Sequence, residues 1–142
     1  MLVRDIMKRH VITIDPEARV IDAAQLMRKH SIGSLIVIKN NEAKGIITKW
    51  DILTKVVAEG KDPAEIKVRD VMSSPLLTID HEASVEEAAM LMVKNKIKKL
   101  GVTKDNRLIG IITAYDIVAT EPLFMKQIAE LFAYSINAKI GC

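Results

Sequence analysis

The chain has 142 residues, 49% of them apolar and only 4% aromatic, with a formal net charge of +3. That length suits one compact domain or two small halves sharing an aliphatic core, and the mild basicity admits phosphorylated ligands but falls short of a dense nucleic-acid footprint. The one cysteine, Cys142, excludes an intrachain disulfide and a cysteine-based metal cluster, and no apolar run approaches the ~20 residues of a membrane span. Met1-Leu2-Val3-Arg4-Asp5 lacks signal-peptide character, so a soluble cytoplasmic protein is expected.

Taken in order, Val3–Met7 reads as a short helical turn and Val11–Ile14 as a brief strand. An amphipathic helix follows, with Val20, Ala23, Ala24 and Met27 on one face. Leu35–Ile38 is a strand, Asn40-Asn41 supplies residues that tolerate positive φ in a tight hairpin, and Gly45-Ile46-Ile47-Thr48 is the returning strand. Asp51 then opens a second helix that stops near Gly60.

The order repeats at a constant offset of 65 residues, from Val3 and Val68 to Ile52 and Ile117. Val68–Met72 is the second opening turn and Leu76–Ile79 the second short strand. Ser84 with Glu87 is a capping-box signature, followed by the face Val85, Ala88, Ala89 and Met92. Leu100–Thr103, the Asp105-Asn106 turn and Gly110-Ile111-Ile112-Thr113 complete the pattern before Asp116. The spaced methionines read as core residues rather than metal ligands. The fold class is therefore mixed α and β (α+β): two pseudo-symmetric units, each helix-strand-helix-strand-strand-helix, packed face to face. Residues 1–60 form the first unit, 61–67 the linker and 68–120 the second. Residues 121–142 read as an amphipathic C-terminal helix, with Pro122 near its start and Phe124, Ile128, Leu131 and Phe132 on one face. Its expected use is to close the module or to dimerise.

The repeated stretch that carries chemistry is Gly-Ile-Ile-Thr-x-x-Asp. It sets a hydroxyl and a carboxylate together at a helix start, where free N–H groups favour an anion. Thr48 and Thr113 would contact phosphate, and Asp51 and Asp116 the hydroxyls of a sugar. A helix cap is a sufficient reading of one such pair; two pairs in one register favour a ligand site.

These motifs, together with Val-Arg-Asp-Ile/Val-Met, Thr-Ile-Asp and Ala-Ala-x-Leu-Met, resemble a pair of CBS domains, often called a Bateman module. The resemblance runs from Val3 to about Ala119. It implies a regulatory module, not an enzyme, that dimerises and binds adenosine-containing ligands such as AMP, ADP, ATP or S-adenosylmethionine, with no obligatory cofactor and no metal. The expected partners are that ligand, a second copy and an effector protein. It also implies two clefts, each built across both units. One joins Thr48 and Asp51 to Leu77, Ile97, Lys98 and Lys99. The other joins Thr113 and Asp116 to Ile12, Ile32, Gly33 and Ser34. Trp50 and Tyr115 are expected to border the clefts or to pack, and His10 lies beside the adenine segment. Lys98 and Lys99 in the first cleft predict that it favours polyphosphates over the second. The alternatives are a nucleic-acid-binding protein or a scaffold without a nucleotide. Against an enzyme stand the missing phosphate loop and the scattered His10, His30 and His81.

Overall fold

The computed structural model describes residues 1–120 together with Ala129, Glu130 and Ala133; the predicted C-terminal helix otherwise lies outside the described residues. The first unit contains α1 (Val3–Ile6), β1 (Thr13–Ile14), α2 (Val20–His30), β2 (Ser34–Lys39), β3 (Glu42–Thr48) and α3 (Lys49–Ile52), which continues as a π-helical turn over Leu53–Val57. The second contains a 3₁₀ turn (Val68–Asp70), β4 (Thr78–Asp80), α4 (Val85–Asn95), β5 (Lys99–Lys104), β6 (Arg107–Thr113) and α5 (Ala114–Ala119). Element order and duplication agree with the sequence reading. The first strand of each unit is shorter than predicted and begins two residues later.

Each unit has a three-stranded sheet in which the short first strand runs parallel to the second, and the second antiparallel to the third. The hairpins turn at Asn40-Asn41 and Asp105-Asn106, whose φ angles are 52° and 64° in both cases. Asparagine and aspartate tolerate that region because their short polar side chains bond locally.

The helices bury the faces their spacing predicts. Val20, Ala23 and Met27 on α2, and Val85, Ala88 and Met92 on α4, are buried. Met7 is buried as well, whereas Met90 is exposed. Ser84 accepts the Glu87 N–H at 3.0 Å and the Glu87 carboxylate accepts the Ser84 N–H at 3.2 Å, which is the capping box. Ser84→Ala is expected to cost about 1 kcal/mol, seen as a Tm lower by roughly 3 °C; an unchanged Tm would deny the cap that role.

One feature of the packing is not apparent from the element order. The opening turn of each unit packs on the opposite unit. Val3 and Met7 lie in a cluster with Ala88, Met92, Leu100, Val102 and Ile112 of unit 2. Val68 and Val71 lie in a cluster with Ala23, Leu35, Val37, Ile47 and Val56 of unit 1. Backbone bonds fix the exchange: the Val3 N–H donates to the Ala83 carbonyl, Lys8 and Ile111 exchange two bonds, and Ser73 and Ile46 do the same. The chain then crosses back, since β1 joins the unit 1 sheet and β4 the unit 2 sheet. The two crossings bring Lys8 beside Ile111 of unit 2 and Ser73 beside Ile46 of unit 1 before the chain returns to its own sheet. Outside the crossing, Glu17 receives Lys67 at 2.9 Å and Arg69 at 2.7 Å. The Lys67 hydrogen bond is the main cause that holds the Glu17 carboxyl below its ordinary range.

Candidate functional site

Each Thr–Asp pair is a reciprocal cap. The Asp51 N–H donates to Thr48 Oγ1 at 3.1 Å, and the Thr48 N–H donates to Asp51 Oδ2 at 2.9 Å. Thr113 and Asp116 repeat this geometry at 3.1 and 2.9 Å. Both carboxylates are buried, 5% exposed at Asp51 and 9% at Asp116. In each pair Oδ2 is committed to the cap, so Oδ1 is the atom left for other partners. The cap therefore orients the carboxylate and leaves its second oxygen for other partners.

What meets that second oxygen differs between the units. Asp51 Oδ1 lies 3.0 Å from Lys55 Nζ, and the same ammonium donates to the Val71 carbonyl at 2.9 Å. Ser73 Oγ donates to Asp51 Oδ1 at 3.5 Å. Among the described residues, Asp116 Oδ1 has Lys8 as its ion-pair partner, at 3.5 Å, and that lysine side chain is 62% exposed. Lys8 and Ser73 occupy equivalent positions of the repeat, but Lys55 has Thr120 as its counterpart, so the strap over Asp51 has no equivalent over Asp116 among the described residues.

Beside Thr113 the structure opens a cavity of about 230 Å³ lined by Lys8, His10, Val11, Ile12, Ile32, Gly33, Ser34, Ile36, Lys99, Ile111 and Thr113. This is the second predicted cleft. Ile12, Ile32, Gly33 and Ser34 line it with Thr113, and Asp116 does not line it but pairs with Lys8, which does. The volume is somewhat below the ~300 Å³ at which ligand clefts usually begin, so a nucleotide would fill it with part of its surface open to water. Its lining combines the apolar side chains Val11, Ile12, Ile32, Ile36 and Ile111 with the polar groups of Lys8, His10, Ser34, Lys99 and Thr113.

Lys99 requires a correction. It was expected in the cleft of Thr48 and Asp51, and instead donates to Ser34 Oγ at 2.8 Å and lines the Thr113 cavity. The reason is symmetry. Ser34 and Lys99 are equivalent positions, each at the start of its strand and each paired across to its own Thr, Ser34 with Thr48 and Lys99 with Thr113. They meet where the two units face each other, and the longer side chain extends into the opposite half. The two lysines are not brought together: Lys98 is exposed and does not line the cavity that Lys99 lines, and its carbonyl accepts the Ala114 N–H. Leu77 and Ile97 pack against the unit 2 core. The hydrogen bonds and ion pairs of Asp51 run to Thr48, Lys55 and Ser73 rather than to Leu77, Ile97, Lys98 or Lys99.

Lys8 and Lys49 went unnoticed in the sequence. Lys49 packs its side chain over Gly33, and its N–H donates to the Gly33 carbonyl at 2.9 Å. Burial, followed by the charges of Lys49 and Lys8, holds the Lys99 ammonium below its ordinary pKa. The signal for Lys8 was its position directly after the repeated Val-Arg-Asp-x-Met turn. Without knowledge that this turn changes units, its side chain would be assigned to the wrong neighbour. Trp50 and Tyr115 are mostly exposed and line neither this cavity nor the core.

The CBS-domain family model matches residues 3–58 and again 68–121. The chain belongs to the CBS-domain family. It is 41% identical over 130 residues to an uncharacterized protein, MK0525, of Methanopyrus kandleri, covering 90% of this chain and 66% of that protein, just under two thirds of its length. It is 32% identical over 119 residues to the CBS domain-containing protein YhcV of Bacillus subtilis, covering 84% of each. Among solved structures, the CBS domain pair of MJ0100, in complex with 5′-methylthioadenosine and S-adenosylmethionine, superposes with a TM-score of 0.72 at 28% identity, covering 95% of this chain and 98% of that one. Two CBS units in one chain make a CBS pair, and the duplicated Thr–Asp caps are its most regular feature. No helix among the described residues is long and apolar enough to cross a membrane.

Proposed function

We propose that this CBS pair is a regulatory module that binds an adenosine-containing ligand in the cavity beside Thr113 and Asp116, and passes the binding event to a partner protein. The observation that carries the reading is the cavity itself. It is lined by both units and combines apolar side chains that suit a base with the hydroxyls of Ser34 and Thr113, and Asp116 pairs with its Lys8. The complex of MJ0100 with two adenosine compounds supports the ligand class. Because one wall comes from residues 8–12 and 32–36 and the other from β6, a ligand that prefers one spacing of the units shifts their equilibrium by its differential affinity. Signalling then needs no chemistry on the ligand, and the module acts as a binding protein rather than an enzyme. A second copy and an effector are the partners that a changed spacing would address.

The test is thermal shift on the full chain with AMP, ATP, S-adenosylmethionine and GTP, in the native sequence and in Asp116→Ala. A ligand that binds only the folded state raises Tm by mass action, worth about 2.7 kcal/mol at a hundredfold excess over Kd. The expected result is a rise of several degrees with at least one adenosine ligand, little with GTP, and none in Asp116→Ala. No shift with any adenosine compound would overturn the proposal in favour of a scaffold or nucleic-acid role.

A further inference from the structure

The two exchanged turns match in backbone bonding and in apolar burial, but not in the side chains that tie them down. The Val3 N–H donates to the Ala83 carbonyl and the Val68 N–H to the Ala18 carbonyl, both at 2.8 Å. The paired bonds of Lys8 with Ile111 and of Ser73 with Ile46 measure 2.8 and 2.9 Å in both units. Val3 and Val68 are fully buried. The second turn has further ties. Lys55 Nζ donates to the Val71 carbonyl at 2.9 Å and lies 3.0 Å from Oδ1 of the buried Asp51. Ser74 Oγ donates to the Lys44 carbonyl at 3.0 Å. Among the described residues the first turn has neither tie. The counterpart of Lys55 is Thr120, whose hydroxyl donates to the Ile117 carbonyl of its own helix at 2.7 Å. The counterparts of Ser74 and Lys44 are Arg9 and Ile109. The first turn instead has the pairs Arg4–Glu82 and Lys8–Asp116, each at 3.5 Å and each with an exposed cation. Such pairs contribute little, whereas a well-placed ammonium hydrogen bond contributes more.

We infer that residues 3–12 are a releasable wall of the module: they part from unit 2 in a local opening that leaves residues 68–77 seated on unit 1, and Lys55 is the latch that makes the difference. Proteins open in such cooperative local units, and the segment with fewer ties opens first. The segment that opens is also the one at the cavity. Lys8, His10, Val11 and Ile12 line it, and Ile111, which lines it too, donates its N–H to the Lys8 carbonyl. Release breaks that bridge at the cavity itself. The moving stretch stays anchored where Thr13 and Ile14 pair with β2. The closed cavity, at about 230 Å³, is smaller than ligand clefts usually are, and a yielding wall lets it take a larger occupant. This motion belongs to the fold whatever the ligand, and its test is separate from that of adenosine binding.

The experiment is amide hydrogen exchange, followed residue by residue by NMR, on the full chain without ligand, in the native sequence and in Lys55→Met and Thr120→Lys. In the native chain the amides of Val3, Lys8 and Ile111 are expected to exchange at least about tenfold faster than their counterparts Val68, Ser73 and Ile46, the effect of one hydrogen bond to a charged group. They should also exchange before the slowest amides of β5, which open only with the whole chain. Lys55→Met should speed Val68, Ser73 and Ile46 and leave the first set within about twofold of its native rates. Thr120→Lys places an ammonium where the first turn lacks one, and should slow Val3, Lys8 and Ile111. Equal rates for the two sets in the native chain, or a faster second set, would overturn the inference. So would a first set that exchanges only together with the slowest amides of β5, or a Lys55→Met chain whose second set is unchanged. The native rates decide the matter even if a variant does not fold.

Discussion

Gly110→Ala is expected to destabilise the chain by about 3 kcal/mol, at the upper end of what overpacking costs, and Gly45→Ala by at least as much. A Cβ at Gly110 would sit 2.7 Å from the Lys8 carbonyl oxygen and 2.9 Å from Met7 Sδ; one at Gly45 would press still more closely on the Ser73 carbonyl oxygen. Those oxygens are backbone atoms in the bridges that fix the exchanged turns, Lys8 with Ile111 and Ser73 with Ile46. They cannot retreat without breaking hydrogen bonds that hold each turn on the opposite unit. Against a total stability of roughly 5–15 kcal/mol the loss is large, and Tm should fall by about 10 °C. Gly33→Ala is the control, because its nearest neighbours are the methylenes of the flexible Lys49 side chain at 3.2 Å, and it should cost far less. Thermal denaturation of the three variants checks the order; equal losses at Gly33 and Gly110 would mean that the close approach of the crossing segments is not what the glycines serve.

Val3→Asp is the second large effect. Val3 has no exposed surface and lies among Met7, Ala88, Met92, Leu100 and Ile112. A carboxylate there meets no cation in that cluster, and an uncompensated buried charge costs about 3–5 kcal/mol. The location of the damage is the sharper expectation. Although Val3 belongs to unit 1 in sequence, unit 2 should open first, so amide exchange should speed up in β5 and β6 before β2 and β3. Val68→Asp should do the reverse. Loss of protection first in the first unit's own strands after Val3→Asp would contradict the exchanged turns.

The fold was largely legible because its signals are local and duplicated. Positive-φ residues at Asn40-Asn41 and Asp105-Asn106, the Ser84–Glu87 box and the spacing of Val85, Ala88 and Met92 each specify an element without reference to anything distant. The exchanged turns were not legible, because Val3–Met7 is as apolar toward one unit as toward the other and the repeat makes the two cores nearly interchangeable. For the same reason the motif glycines read only as strand residues, since the atoms that exclude a Cβ arrive from the other crossing segment. In the site, Ile12, Ile32, Gly33 and Ser34 line one cavity with Thr113, while Asp116 meets it through Lys8. Lys99 was misplaced since a contact across the pseudo-dyad joins a residue to its own repeat equivalent, and no spacing rule indicates into which half a long side chain will reach. Lys55 was read as an ordinary helix residue, yet its ammonium reaches back one turn to Asp51 and across to Val71.

The most direct measurement is a crystal structure of the full chain with AMP. The expected electron density shows adenine between the apolar residues Ile12, Ile32 and Ile111 and ribose hydroxyls against Asp116. Density for the nucleotide against Asp51 with the Thr113 cavity empty, or no bound nucleotide at saturating concentration, would contradict the account.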